Sequence, residues 1–166
     1  MNSVKISEKA MKSLTSHATK GYESSYKKEV GGFLLGQING KGHYIREAVS
    51  YNTRNAARTY WSPNGWHMKR KGALLEQKTG YKWIGAYHSH PETAGHASTR
   101  QSAEDRESHI SSDYPLEIII GVTPSPMKSP ASCFTIQDSE SGYYYAICAH
   151  IKDGENKIRR IKVEEV

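Results

Sequence analysis

Apolar residues recur at helical and strand periods along most of the chain. Residues 7–22 place Ala10, Met11, Leu14, Ala18 and Tyr22 at three- and four-residue steps, with Ser7 positioned as a cap. That is one face of an amphipathic helix. Residues 29–38 (EVGGFLLGQI) form an apolar run with three glycines, read as a buried strand with glycines where other backbone comes close. Asn39-Gly40 is a hairpin signal, and 43–51 reads as the return strand.

Residues 52–61 read as loop or short strand. Ser62-Pro63 predicts a cap followed by proline in the first turn, a helix over about 63–79, and a stop at Gly80. A strand over 82–88 is followed by a loop over 89–97. Ser98-Thr99-Arg100-Gln101 has the form of a capping box, which predicts a third helix over about 98–111. Residues 116–122 (LEIIIGV) read as a central strand. A loop rich in Pro and Ser, 123–130, leads to strands near 132–138, 142–151 and 157–164. Interleaved helices and strands imply an α/β class of mixed α+β character: one domain, with helices packed on a mixed sheet.

Composition narrows the reading. The chain has 166 residues, enough for one domain with its own core. Eleven Tyr and three Trp argue against disorder. The net charge of +6 includes clusters at Lys69-Arg70-Lys71 and Arg159-Arg160-Lys162. These read first as solvated surface, and secondarily as a docking face for an acidic partner or as weak nucleic-acid affinity. No nucleic-acid module is recognisable, so nucleic acid is not the expected partner. No run is long enough to span a bilayer, and the first residues lack the apolar core of a signal peptide. Cys133 and Cys148 form no Cys-x-x-Cys pair; they read as buried small residues in a reducing, cytoplasmic setting.

The chemistry concentrates in Tyr87-His88-Ser89-His90-Pro91 and in Ser102 and Asp105 beyond it. Taken as facing opposite ways on an ideal strand, the two imidazoles require a turn at the strand end to reach one ion. Ser102 and Asp105, three apart, share a helix face. Two imidazoles and a carboxylate form a three-ligand set that leaves the fourth position of zinc open. A proton acceptor is also needed, and Glu29, opening an apolar strand where a lone carboxylate is costly, is the candidate general base.

Glu29 before Val-Gly-Gly-Phe-Leu-Leu-Gly, then His88-Ser89-His90-Pro91, then Ser102-Ala103-Glu104-Asp105, resembles the JAMM (MPN-plus, JAB) metallopeptidase signature. The resemblance runs in order over about residues 5–150. It implies a single MPN/JAB domain over 1–166 with a cytidine-deaminase-like mixed sheet flanked by helices. It implies one Zn2+ per chain, held by His88, His90 and Asp105. Glu29 resembles the general acid/base, and Ser102 the residue that steadies the oxyanion.

The activity implied is hydrolysis of an isopeptide or peptide bond after the tail of a ubiquitin-like or other tag protein, in deconjugation, precursor processing or antiviral defence. A dimer with itself or with another MPN protein is also implied. The alternative is a non-catalytic MPN scaffold for protein–protein interaction.

One spacing departs from the family pattern. Serine seven residues after the proline and aspartate three further on would fall on Ser98 and Gln101, and glutamine is a poor zinc ligand. A frame four residues later restores Ser102 and Asp105, with the helix still beginning at Ser98. The early frame would favour the scaffold. His96 and His109 read as solvated, or else as a supporting donor or surrogate ligand. Trp61 and Trp66 read as core, with a groove for a substrate tail as the other reading.

Overall fold

The computed structural model describes residues 3–24, 27–53, 56–57, 60–61, 63–93 and 95–166. The elements in chain order are β1 (Ser3–Ile6), α1 (Glu8–Glu23), β2 (Gly31–Asn39), β3 (Gly42–Ser50), β4 (Ala56–Ala57), β5 (Tyr60–Trp61) and α2 (Gly65–Thr79). They continue with β6 (Lys82–Pro91), α3 (Ala103–Ser111), β7 (Leu116–Thr123), β8 (Phe134–Gln137), β9 (Tyr144–Lys152) and β10 (Ile158–Glu165).

Eight strands form a mixed sheet in the order β10-β1-β3-β2-β6-β7-β9-β8. β10 also pairs with β9, so the sheet closes on itself like a barrel, while β4 and β5 form a separate two-stranded piece. β6 and β7 run parallel at the centre, and β2 lies antiparallel on the other side of β6. Among the described residues three helices flank this sheet, which gives the mixed α/β domain the periodicity predicts.

α1 buries Ala10, Met11, Leu14 and Ala18 against Ile84, Ile118, Ile120 and Ile147. Ser7 caps it, accepting from the Ala10 N–H at 3.1 Å. α2 packs more loosely on the opposite face, beside a second cluster of Phe33, Met68 and Ala86. Gly80 stops α2 in the left-handed conformation, φ 78°. Gly36 has its own reason: a Cβ there would lie 1.8 Å from the Tyr44 carbonyl oxygen, where the β2–β3 register shifts.

Several expectations need correction. The third helix starts at Ala103, not Ser98. A cap at Ser98 would need its carbonyl to accept from the Ser102 N–H. That N–H instead donates to Asp105 Oδ2 at 2.9 Å, and the Ser98 carbonyl faces His90 Nδ1 at 2.8 Å. α2 is capped by Asn64, which accepts from the His67 N–H at 3.1 Å; Pro63 precedes the helix, and Ser62 lies outside the described residues. β6 does not end at His88. It continues to Pro91 because β7 pairs with it as far as Val122.

Cys133 and Cys148 are bonded to each other, with Cα atoms 4.5 Å apart. They are not two separate buried thiols. Trp66 is 65% exposed rather than core, whereas Trp61 packs on the second cluster. β1 was not anticipated, since four residues carry too short a period to register.

Candidate metal centre

Alternate residues on a strand share a face. His88 and His90 both lie on β6, so no turn is required to bring their rings together, contrary to the expectation of opposed faces. Their Nε2 atoms lie 3.0 Å apart. Asp105 Oδ2, from the first turn of α3, lies 3.3 Å from each of them. Ligand atoms at 2.0–2.1 Å around a tetrahedral zinc are about 3.3–3.4 Å apart. The three donors therefore already trace one face of such a tetrahedron, and their chemistry suits zinc.

A second carboxylate approaches from the other side. Glu29 Oε1 lies 3.4 Å from His90 Nε2, and Glu29, His88 and His90 also form a compact group able to hold a metal. Two sets thus share the imidazoles. Asp105 fits better as the third ligand, because one oxygen is equidistant from both rings, whereas the Glu29 contact is to His90 alone.

Glu29 sits just ahead of β2, 3% exposed. Its N–H donates to the Ala57 carbonyl at 2.6 Å. The next residue is pinned by Ser89, whose hydroxyl accepts from the Val30 N–H at 3.0 Å and whose N–H donates to the Val30 carbonyl at 2.8 Å. Ser89, on the reverse face of the histidine strand, thereby sets the distance from Glu29 to the rings. Gly31 follows, and a Cβ there would meet Trp61 and the Tyr87 carbonyl at 2.6 Å.

The two carboxylates titrate in opposite directions. Burial raises the Glu29 carboxyl to about 8; His88 works against this, while Asp105, Glu104 and Glu117 add to it. Burial alone would raise Asp105 as well, but hydrogen bonds with His88 and His90 outweigh it and hold Asp105 far below the usual carboxylate range. Burial opposes charge on His88, yet hydrogen bonds with Asp105 and Glu117 raise it well above an ordinary imidazole. In the metal-free chain positive charge is thus favoured where the donors meet.

Ser102 caps α3. Its Oγ accepts from the Asp105 N–H at 3.0 Å, which leaves the hydroxyl hydrogen to donate elsewhere. Ser102, Glu29, His90 and Asp105 all line one cavity of about 250 Å3. A second cavity of about 320 Å3 opens on the other side of His88 and Asp105, walled by Trp61, Met68, Trp83 and Tyr114. The structure brings together all five residues singled out from the sequence.

The family described as prokaryotic homologs of the JAB domain matches residues 7–136. The chain belongs to that family. A solved structure with the same fold is that of protein DSY2949 from Desulfitobacterium hafniense, determined in solution. It superposes with a TM-score of 0.66 at 16% identity, over 98% of this chain and 92% of that one. No curated protein matches this JAB-family chain.

Three further residues lie near the site, of which the sequence reading misses Glu117 altogether. Glu117 lies in an apolar strand, yet its Oε1 is 3.1 Å from His88 Nδ1. Gln101 looked like a failed ligand. His109 is fully buried on α3, which excludes the solvated reading and leaves that of a supporting donor or surrogate ligand. A carboxylate inside LEIIIGV was the one available signal, since burying it without a partner is costly. His96 is exposed, as read. Among the described residues, no helix is long and apolar enough to cross a membrane.

Proposed function

We propose that this JAB-family chain is a zinc-dependent peptidase or isopeptidase, which hydrolyses the bond after the C-terminal tail of a ubiquitin-like or other tag protein. The observation that carries the reading is the convergence of His88 Nε2, His90 Nε2 and Asp105 Oδ2 within 3.0–3.3 Å of one another, with Glu29 alongside. His88, His90 and Asp105 would hold one Zn2+ per chain. Bound there, zinc supplies Lewis acidity toward a carbonyl oxygen and lowers the pKa of water.

The chain's own residues do the rest. Glu29, largely desolvated, takes a proton from the attacking water in its carboxylate form. The water oxygen bonds to the scissile carbonyl carbon. Ser102 donates its hydroxyl hydrogen to the developing oxyanion. The C–N bond then breaks, and Glu29 returns the proton to the leaving amine, which restores the carboxylate. The aromatic-walled cavity beside His88 is suited to an extended substrate segment.

The reading includes the cytidine-deaminase-like arrangement of the sheet, a dimer with itself or with another MPN protein, and a place in deconjugation, precursor processing or defence. We also place the chain in the cytoplasm, where the Cys133–Cys148 bond is an exception to the usual thiol state. Neither a membrane nor a nucleic acid is invoked as partner.

The test is cleavage of a reporter fused or isopeptide-linked to a ubiquitin-like tail, alongside zinc analysis. The wild type is expected to carry about one tightly bound zinc per chain and to cleave. Glu29→Gln should keep the zinc and lose turnover by about 10^2-fold or more. A Glu29→Gln chain with full activity overturns the assignment of the base.

A further inference from the structure

We propose that Glu117, Gln101 and His109 form a buried hydrogen-bond relay that fixes the tautomer and ring orientation of His88, acting as positioning residues for the metal centre. The inference rests on the metal-site reading above and deepens it.

The relay starts at a backbone carbonyl, and each bond in it has one direction. His109 Nε2 lies 3.1 Å from the Pro115 carbonyl oxygen, which can only accept. His109 therefore carries its hydrogen on Nε2, and its Nδ1 is an acceptor. Burial lowers the pKa of His109, which keeps the ring neutral. Gln101 Nε2 lies 3.0 Å from that Nδ1 and donates to it. The second N–H of the same amide points to Glu117 Oε2 at 3.3 Å. Glu117 Oε1 lies 3.1 Å from His88 Nδ1, within reach to accept its hydrogen. With a hydrogen held on Nδ1, His88 has Nε2 as the nitrogen that gives up its hydrogen when a metal binds between His90 and Asp105.

His90 reaches the same state by one bond, donating from Nδ1 to the Ser98 carbonyl at 2.8 Å. Both rings thus turn Nε2 inward. A metal-binding imidazole needs a partner on its other nitrogen for this reason.

The fold does not otherwise account for Glu117. It is 4% exposed on β7, with Leu116 and Ile118 packed into the main core on the reverse face. An apolar residue there would avoid the desolvation cost of a buried carboxylate. Its place in the register explains the reach: Glu117 pairs with Ala86, two residues before His88, on the same face of the sheet. Gln101, a poor ligand by chemistry, is well suited to this role. Its amide offers two hydrogens, one for His109 and one for Glu117.

Zinc affinity, measured by chelator competition on folded protein, tests the relay. Glu117→Leu strands the His88 Nδ1–H and should weaken zinc binding about 10- to 100-fold. Glu117→Gln keeps an acceptor oxygen and should recover a good part of that loss. Gln101→Leu, on a partly exposed residue, guards against a misfolded Glu117 variant and should weaken binding several-fold. The downfield Nδ1–H resonance of His88 in the zinc-loaded wild type should shift in each variant, which a merely structural role would not produce. If the wild type binds zinc and all three variants bind it equally well, the relay is wrong and the metal site stands. If the wild type takes up no zinc, the relay and the metal reading fail together.

Discussion

Ser102 and Asp105 hold each other in a reciprocal pair of hydrogen bonds. The serine hydroxyl accepts from the aspartate N–H at 3.0 Å, and the aspartate Oδ2 accepts from the serine N–H at 2.9 Å. The same Oδ2 faces both imidazoles at 3.3 Å. The helix cap and the metal-facing carboxylate are therefore one structure. A capping box fixes the first turn of α3 and, with it, the oxygen the rings need.

Ser102→Ala separates the two duties of the serine. Loss of the cap should cost about 1 kcal/mol of stability. Loss of an oxyanion donor should cost about 10^2-fold or more in turnover. Denaturant unfolding and kcat on the same preparation, compared at equal zinc content, check this. A fall in turnover with no loss of stability would remove the cap from the account, and the reverse would remove the oxyanion role.

Acid should destabilise the fold through buried histidines that are not candidate metal ligands. Burial, then nearby positive charge, lowers His17 and His150 from 6.5 to about 4, and His43 shifts the same way. Between pH 6.5 and 4 the unfolded chain binds more protons than the folded one. The stability these groups contribute is complete above 6.5 and is lost as pH falls toward 4. The His150 Nδ1 is buried with no hydrogen-bond partner, so His150→Leu is a tolerable probe. Chemical denaturation across this range should give a shallower pH slope for that variant; an unchanged slope would rule out the contribution of His150.

The bond between Cys133 and Cys148 closes a loop of 15 residues. On the chain-entropy account such a loop stabilises by about 3 kcal/mol. Protein purified without reductant should show no reactive thiol after denaturation, and Cys133→Ser should unfold at lower denaturant. Two titratable thiols per chain would contradict the bonded state.

Much of the site was legible because its residues are spaced by the elements that carry them. His88 and His90 are alternate residues of a strand, and Ser102 and Asp105 are one helical turn's neighbours. The helix start was ambiguous because Ser98-x-x-Gln101 and Ser102-x-x-Asp105 satisfy the same capping pattern. The second prevails because His90 faces the Ser98 carbonyl and the Gln101 amide is turned toward Glu117 and His109.

Such contacts join residues distant in sequence, which no local period reports. Glu117 was hidden for a related reason. An apolar run reads as apolar even with one carboxylate in it, and the partner that makes burial tolerable lies on another strand. The cysteine pairing depended on β9 meeting the loop before β8, and spacing alone does not reveal that. Trp66 was misplaced because a tryptophan beside a helix start is ordinarily core, yet α2 buries only Met68 and Gly72.

Zinc-edge X-ray absorption on the wild type and on Asp105→Asn tests the central claim most directly. The wild type should give two imidazole nitrogens and light oxygen donors at about 2.0–2.1 Å. Asp105→Asn, with the same fold by circular dichroism, should lose the metal or bind it far more weakly. Full zinc occupancy with an unchanged coordination shell in Asp105→Asn would contradict the account, as would a wild-type spectrum with fewer than two imidazoles.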